Sequence, residues 1–197
     1  MKRSPPILVL LLLVLVGSVG SLRAQAPWSL EAQGGAGFPV GDLEEPLVTG
    51  PGFGAVAAYR FLPHLAAYGG WDWFSFDSGT SFAGNEVEFE ETGYVLGLRF
   101  EHPLPFDLGI PLAYRVHAGA TYKHIELEGQ DGTALADSGH GVGWEVGGGL
   151  TWDITPRWYV SPGVRYRALN RDVEIESVTT ELDLTYVALQ LGAGIRF

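Results

Sequence analysis

Apolar residues fall on every second position through much of this chain. The run is clearest at the end, where Phe197, Ile195, Ala193, Leu191, Leu189 and Val187 share one face of an extended segment. Arg196, Gly194, Gly192, Gln190 and Ala188 share the other. A period of two is the signature of a strand. The same alternation recurs over residues 28–38, 52–61, 65–76, 89–100, 111–124, 141–153, 157–167 and 184–197. Short connections fall at Leu62-Pro63-His64, at Glu101–Ile110 and at Ile154-Thr155-Pro156. Longer, polar ones cover 39–51, 77–88, 125–140 and 168–183. Short turns alternate with long loops, and both chain ends lie on the short-turn side. The pattern predicts an all-β fold, an eight-stranded antiparallel up-and-down barrel. Pro162, inside the seventh segment, lacks a donor and predicts a bulge or a weakened ladder there.

The next question is which face meets which solvent. A soluble sheet buries its apolar face and wets the other, whereas here the polar face carries glycines and isolated long charges. That suits a narrow lumen with lipid outside. Aromatic residues on the apolar face recur eight apart: Phe53 and Phe61, Tyr114 and Tyr122, Trp144 and Trp152, Trp158 and Tyr166. Eight residues at about 3.3 Å each span about 26 Å along a strand. With strand tilt, that sets the rings near both edges of an outward apolar band about 25 Å tall. Gly70-Trp71-Asp72-Trp73-Phe74 tests the facing. A charge on the lipid face costs on the order of 1 to 4 kcal/mol by depth, so Asp72 points inward and the tryptophans outward. Phe74 and Phe76 then lie near the upper rim.

An eight-stranded barrel is only wide enough for side chains to fill it. The inward positions include Gly35, Gly54, Gly97, Gly119, Gly147, Gly149, Gly192 and Gly194. Among them stand the acids Glu31, Asp72, Glu91 and Glu145 and the bases Arg60, Arg99, Arg115, Lys123, Arg165 and Arg196. Charges confined this way must pair or hold water. Strand adjacency predicts Glu31 with Arg60 and Arg196 at one end, and Glu145 with Arg165 and Lys123 near the other. This lumen network reads either as a gated path or as a polar core that fixes the barrel's shape, and the second reading is the simpler.

The start of the chain adds a compartment. Lys2 and Arg3 precede ten apolar residues, Ile7 to Val16, and then small residues leading to Ala24-Gln25-Ala26. That is the layout of a secretory signal peptide, too short for a spanning helix of about 20 residues. Residues 1–26 are expected to be cleaved, at a point between 20 and 26, leaving a barrel domain over 27–197. The absence of cysteine argues against a lipid anchor on the chain and against disulfides. The net charge is −11, and losing Lys2, Arg3 and Arg23 with the leader makes it more negative. Such a charge disfavours nucleic acid.

The acids concentrate in the long connections. Asp42, Glu44 and Glu45 lie in the first, and Asp77, Glu86, Glu88 and Glu90 in and beside the second. Glu126, Glu128, Asp131 and Asp137 lie in the third, and Asp172, Glu174, Glu176, Glu181 and Asp183 against Arg171 in the fourth. Divalent cations or a basic surface partner fit such loops; so do plain solvated loops of an acidic proteome. Asp131-Gly132 stands in no Asp-x-Asp-x-Asp-Gly calcium loop.

No Gly-x-Ser-x-Gly elbow or His-Glu-x-x-His helix is present. Some eight-stranded barrels are lipid A deacylases with a His-x-Ser pair on a strand, but His117-Ala118-Gly119, His124-Ile125-Glu126 and His140-Gly141-Val142 all depart from it. Metal binding by His124, Glu126 and His140 would need the third loop to fold back. No cofactor, metal or catalytic set is therefore assigned.

Taken together, the alternating strands, the Gly-Trp-Asp-Trp stretch and the terminal Gly-Ile-Arg-Phe resemble the eight-stranded outer-membrane porin-family barrels, the OmpA-like and OmpX-like group. The resemblance implies residence in the outer membrane of a Gram-negative envelope, embedded in lipid as a monomer. It also implies that Phe197, with Ile195, Ala193 and Leu191, forms the terminal signal read by the barrel-assembly machinery. Members stabilise membranes, adhere to surfaces or form narrow pores. The reading is a non-enzymatic barrel acting structurally or in surface interaction and adhesion. The alternatives are a narrow pore for ions or small solutes and, after it, a lipid-modifying hydrolase.

Overall fold

A computed structural model describes residues 27–41, 47–78, 87–106, 108–129, 134–175 and 178–197. The leader over 1–26 lies outside the described residues, as do Asp42, Glu44, Glu45, Glu86, Asp131 and Glu176. The described residues form nine strands: β1 (Trp28–Val40), β2 (Gly50–Leu62), β3 (Leu65–Asp77), β4 (Val87–Pro103), β5 (Leu112–Gly129), β6 (Ala134–Asp137), β7 (Gly141–Asp153), β8 (Trp158–Ile175) and β9 (Val178–Arg196). Eight of them run in the order β4-β3-β2-β1-β9-β8-β7-β5, and β4 pairs with β5 to close the barrel. The pairings are antiparallel throughout. The chain ends meet at the seam between β1 and β9. There the Trp28 amide donates to the Phe197 carbonyl at 3.2 Å and the Phe197 amide donates to the Trp28 carbonyl at 3.0 Å.

Burial alternates along each strand, as in β2, where every second residue from Gly50 to Ala58 is buried and its neighbours are exposed. All eight aromatics of the paired rings face outward, from Tyr114 and Tyr166 at 36% exposure to Trp158 at 54%. Exposed Leu96, Leu98, Val116, Val146, Leu189 and Leu191 fill the band between. In water such a surface would be an aggregation hazard; against lipid tails it is the solvent-matched face.

The strands outrun the membrane. Sequence polarity placed loops over 125–140 and 168–183, but β5 continues to Gly129, β6 forms a short hairpin partner on it, and β8 and β9 pair as far as Ile175 and Val178. The reason is an alternation that persists beyond the apolar band: Phe89, Ile125, Leu127, Leu169, Leu184 and Tyr186 all turn inward and are fully or almost fully buried. Outward positions there are charged because they meet water, which disguises a strand as a loop. At Pro162 the β7–β8 ladder lapses between the Gly149–Gly163 and Trp152–Val160 pairs and resumes without a shift. The ladder is weakened, and no bulge forms.

Candidate functional site

Three layers of side chains fill the barrel. At the periplasmic mouth, Arg60 and Arg196 share Glu101 Oε1, at 3.4 and 3.3 Å, and Arg196 also pairs with Asp153 at 2.5 Å. Thr151 Oγ1 donates to the other Glu101 oxygen at 2.9 Å. A cavity of about 310 Å³ opens here among Arg60, His64, Glu101, Asp153 and Arg196. A smaller one of about 30 Å³ reaches inward to Arg99 and Tyr159. Above them Glu31 receives both Nη atoms of Arg115, at 2.8 and 3.2 Å, with Arg99 3.7 Å away. The expected pairing of Glu31 with Arg60 and Arg196 is not formed. Those arginines lie nearer the mouth, where Glu101 and Asp153, assigned by sequence to turn and strand end, reach them first.

The central layer is the most buried. Asp72, Glu91 and Glu145 face Lys123, Arg165 and Arg167, and none of the six is more than 5% exposed. Arg167 is the hub. Its two Nη atoms grip Asp72 at 2.9 and 2.8 Å, Nη2 also meets Glu145 at 2.5 Å, and Nη1 reaches Glu91 at 3.3 Å. Nη1 donates to the Tyr186 hydroxyl at 2.6 Å, and that hydroxyl donates to Glu91 at 2.6 Å. Arg165 bonds Asp72 at 2.9 Å and Gln33 at 3.0 Å and pairs with Glu145 at 3.3 Å. Lys123 pairs with Asp72 and Glu91 and not with Glu145. Three carboxylates thus oppose three bases, and the layer is neutral. Arg167 shares the inward parity of Arg165 and closes the seventh segment, 157–167, yet the inward bases assigned from sequence omit it.

Glycines make the network possible. Tyr68, Gly97, Gly119 and Glu145 stand side by side on β3, β4, β5 and β7. With no side chain on the two middle strands, Tyr68 lies across them and its hydroxyl donates to Glu145 at 2.8 Å. A Cβ on Gly97 would come within 2.7 Å of the Tyr68 ring. Gly93 does the same between Asp72 and Lys123. Its φ of 149° suits glycine, and a Cβ there would stand 2.8 Å from Lys123 Cγ.

The third layer is apolar. Leu47, Phe74, Phe76, Phe89, Ile125, Leu127, Leu169, Leu184, Tyr186 and Ala188 form one buried cluster. Phe74 and Phe76 stand within 5.2 and 5.1 Å of Tyr186, and the Arg167 guanidinium lies 5.9 Å from the Phe74 ring centre. The rings sequence placed near the rim therefore roof the ion network with a dry lid, anchored to it through Tyr186 and Arg167.

Outside, at the extracellular end, Glu88 stands opposite Glu128 and Glu90 opposite Glu126, with Asp77 beside Glu88 and Asp137 beside Glu126. Like charges directly opposite destabilise a sheet. Partial desolvation, and then the neighbouring Glu90, Glu126 and Glu88 charges, push the Glu128 carboxyl above its ordinary range. His117 points into the barrel edge-on to Tyr68, and neither of its ring nitrogens has a hydrogen-bond partner. His124 and His140 do meet, but among the described residues no three His, Asp or Glu converge as a metal site. At the seam Phe197 and Leu191 are exposed, at 48% and 62%, and share the outward face of β9 with Ala193 and Ile195.

A closed eight-stranded barrel with a lipid-matched belt is the geometry of an outer-membrane protein, and the family comparison agrees. The model of the outer membrane protein beta-barrel domain matches residues 9–197. The chain belongs to that family. It resides in the outer membrane of a Gram-negative envelope, embedded in lipid. Among solved structures it is similar to Neisserial surface protein A, at 17% identity and a TM-score of 0.61 over 87% of this chain and 97% of that one. It is similar also to OprG from Pseudomonas aeruginosa, at 11% identity and a TM-score of 0.56 over 90% and 99%. Ail of Yersinia pestis, solved in complex with the heparin analogue sucrose octasulfate, aligns at 15% identity and a TM-score of 0.51 over 86% and 97%. At these identities the likeness is one of fold. No curated protein shows a match to the chain.

Proposed function

We propose that this protein is a closed, non-enzymatic outer-membrane barrel that acts structurally and through its extracellular surface. The observation that carries the reading is the double obstruction of the lumen: a neutral, buried ion network under a lid of packed aromatic and aliphatic side chains. Ions would have to cross both. The extracellular strand extensions present carboxylates, so a surface partner is cationic in chemistry, a divalent ion or a basic segment. A polyanion such as the heparin analogue bound to Ail would meet repulsion. His117, with no partner on either ring nitrogen, has no nucleophile to activate, which speaks against the lipid-modifying hydrolase. Residues 1–26 are proposed to direct secretion and to be removed. Phe197, Ile195, Ala193 and Leu191 are proposed to present the assembly signal on the closing strand.

Planar-bilayer recording of the purified protein tests the reading. No steady conductance is expected, and none should appear when Arg60 and Arg196 are both replaced by Ser, because both lie at the mouth and below the obstruction. A stable conductance in the wild type would refute closure and establish the narrow pore instead.

A further inference from the structure

Two histidines far apart in sequence are brought together at the extracellular rim by a built turn. His124 lies on the outward face of β5, one alternation above Tyr122. His140 ends the connection from β6 to β7. Gly139 adopts a φ of 64°, where only glycine is at ease, and its amide donates to Asp137 Oδ1 at 2.8 Å. The Ser138 amide donates to the Ile125 carbonyl at 3.0 Å, and the Ile125 amide donates back to Ser138 Oγ at 2.9 Å. These bonds fasten the turn to β5 beside His124 and set the His140 ring 5.1 Å from Tyr122 and 4.6 Å from His124.

The consequence is a separation of 3.3 Å between His124 Nδ1 and His140 Nε2. That is long for a hydrogen bond from a ring N–H. It is the spacing expected of two imidazole nitrogens on one tetrahedral ion, since Zn–N bonds of about 2.05 Å at a tetrahedral angle put the nitrogens about 3.3 Å apart. The electrostatics favour a cation. Glu126 occupies the next outward position on β5, paired with Glu90 on one side and Asp137 on the other. No Lys or Arg occupies an outward position on β3 to β6 among the described residues, since Arg99, Arg115 and Lys123 are all buried inside.

We propose that His124 Nδ1 and His140 Nε2 form a surface site for a borderline divalent transition-metal ion of the Zn²⁺ type. Water completes the coordination, and Glu126 and Asp137 supply the negative field. Imidazole ligands select such ions over Ca²⁺ and Mg²⁺, which want oxygen. The site lies outside the barrel, so it stands whether or not the lumen conducts. A second pair, His64 and His102, lies with ring centres 4.5 Å apart and planes tilted by 39° on the periplasmic side and serves as the internal control.

The test is calorimetric titration of the untagged, chelator-washed protein with Zn²⁺ in excess Mg²⁺. One high-affinity equivalent is expected. His124→Gln and His140→Gln should each weaken it at least about tenfold, the lower end of what even an outer-shell loss costs a metal site. The double variant should lose the site altogether. Gly139→Ala should weaken it too by displacing His140, whereas His64→Gln with His102→Gln should leave it unchanged. Heat-modifiable migration checks that each variant is folded, and Zn²⁺-induced shifts of the two wild-type imidazole resonances give a second readout. No binding, binding that survives loss of both rim histidines, or binding abolished by Mg²⁺ would overturn the proposal.

Discussion

Replacing Arg167 with Met removes one charge from a layer in which three carboxylates face three bases, while keeping much of the side-chain volume. Arg167 is fully buried and bonds Asp72, Glu91, Glu145 and Tyr186. Its loss leaves Lys123 and Arg165 against three carboxylates in a space without bulk water. Breaking a buried network by removing one partner costs about 3–5 kcal/mol. With a urea dependence of about 2 kcal/mol per M, within the usual range, the unfolding midpoint should fall by about 2 M. Arg60→Met is the matched control. Its side chain is 23% exposed and its ion pair with Glu101 spans 3.4 Å, so solvent screening limits the loss to about 1 kcal/mol or less. Arg167→Lys keeps the charge but loses the planar fork that holds two oxygens of Asp72 at once, and should fall between them. The assay is reversible urea unfolding in detergent micelles, followed by tryptophan fluorescence and by gel mobility. If Arg167→Met and Arg60→Met share a midpoint, the central layer is not what holds the barrel together, and the reasoning fails.

Deleting Phe197 should lower the amount of heat-modifiable barrel in the outer membrane while the chain is still secreted, because only the outward aromatic of the closing strand is lost; normal accumulation would contradict the assembly role. The Glu128 carboxyl, held above its ordinary range by partial desolvation and by Glu90, Glu126 and Glu88, binds a proton more readily folded than unfolded. It therefore supports the β4–β5 extension at low pH and loses that support as pH rises from about 4.5 through its raised value. Amide exchange of the extension, relative to the intrinsic rate at each pH, should accordingly slow on acidification across that window. Glu128→Gln should slow it at neutral pH and flatten the response, and an unchanged pH profile in that variant would count against the like-charge ladder.

The membrane-facing half of the fold was legible because one physical rule governs it. Lipid outside and a crowded lumen inside force a period of two, so Asp72 had to turn in once Trp71 and Trp73 turned out. Interface rings eight apart then marked the height of the band. Beyond the band the rule changes, since outward positions meet water and Glu88, Glu90, Glu126 and Glu128 read as loop. The surviving signal was the inward half of the alternation, Ile125, Leu127 and Leu169, which polarity-weighted reading discounts.

Ion pairing was less legible for a geometric reason. Neighbours across a ladder are not the groups that meet in a narrow lumen, because a long side chain lies over glycines to reach a strand two or three places away. Tyr68 reaches Glu145 over Gly97 and Gly119, and Lys123 reaches Asp72 over Gly93. The rows of glycine were visible in the sequence, but their meaning lies in what crosses them. Charge balance supplies the check that adjacency lacks. The sequence inventory held four inward acids and six bases, and strand adjacency assigned Arg60 and Arg196 to Glu31. Once Glu101 and Asp153 take those two, Glu31 passes to Arg115 and Arg99. The acids around Asp72 then lack one base, and Arg167, at the next inward position beyond Arg165, is the residue that neutralises them. In the most buried layer, where water cannot screen them, three carboxylates meet three bases, and that balance locates the hub more surely than strand order does.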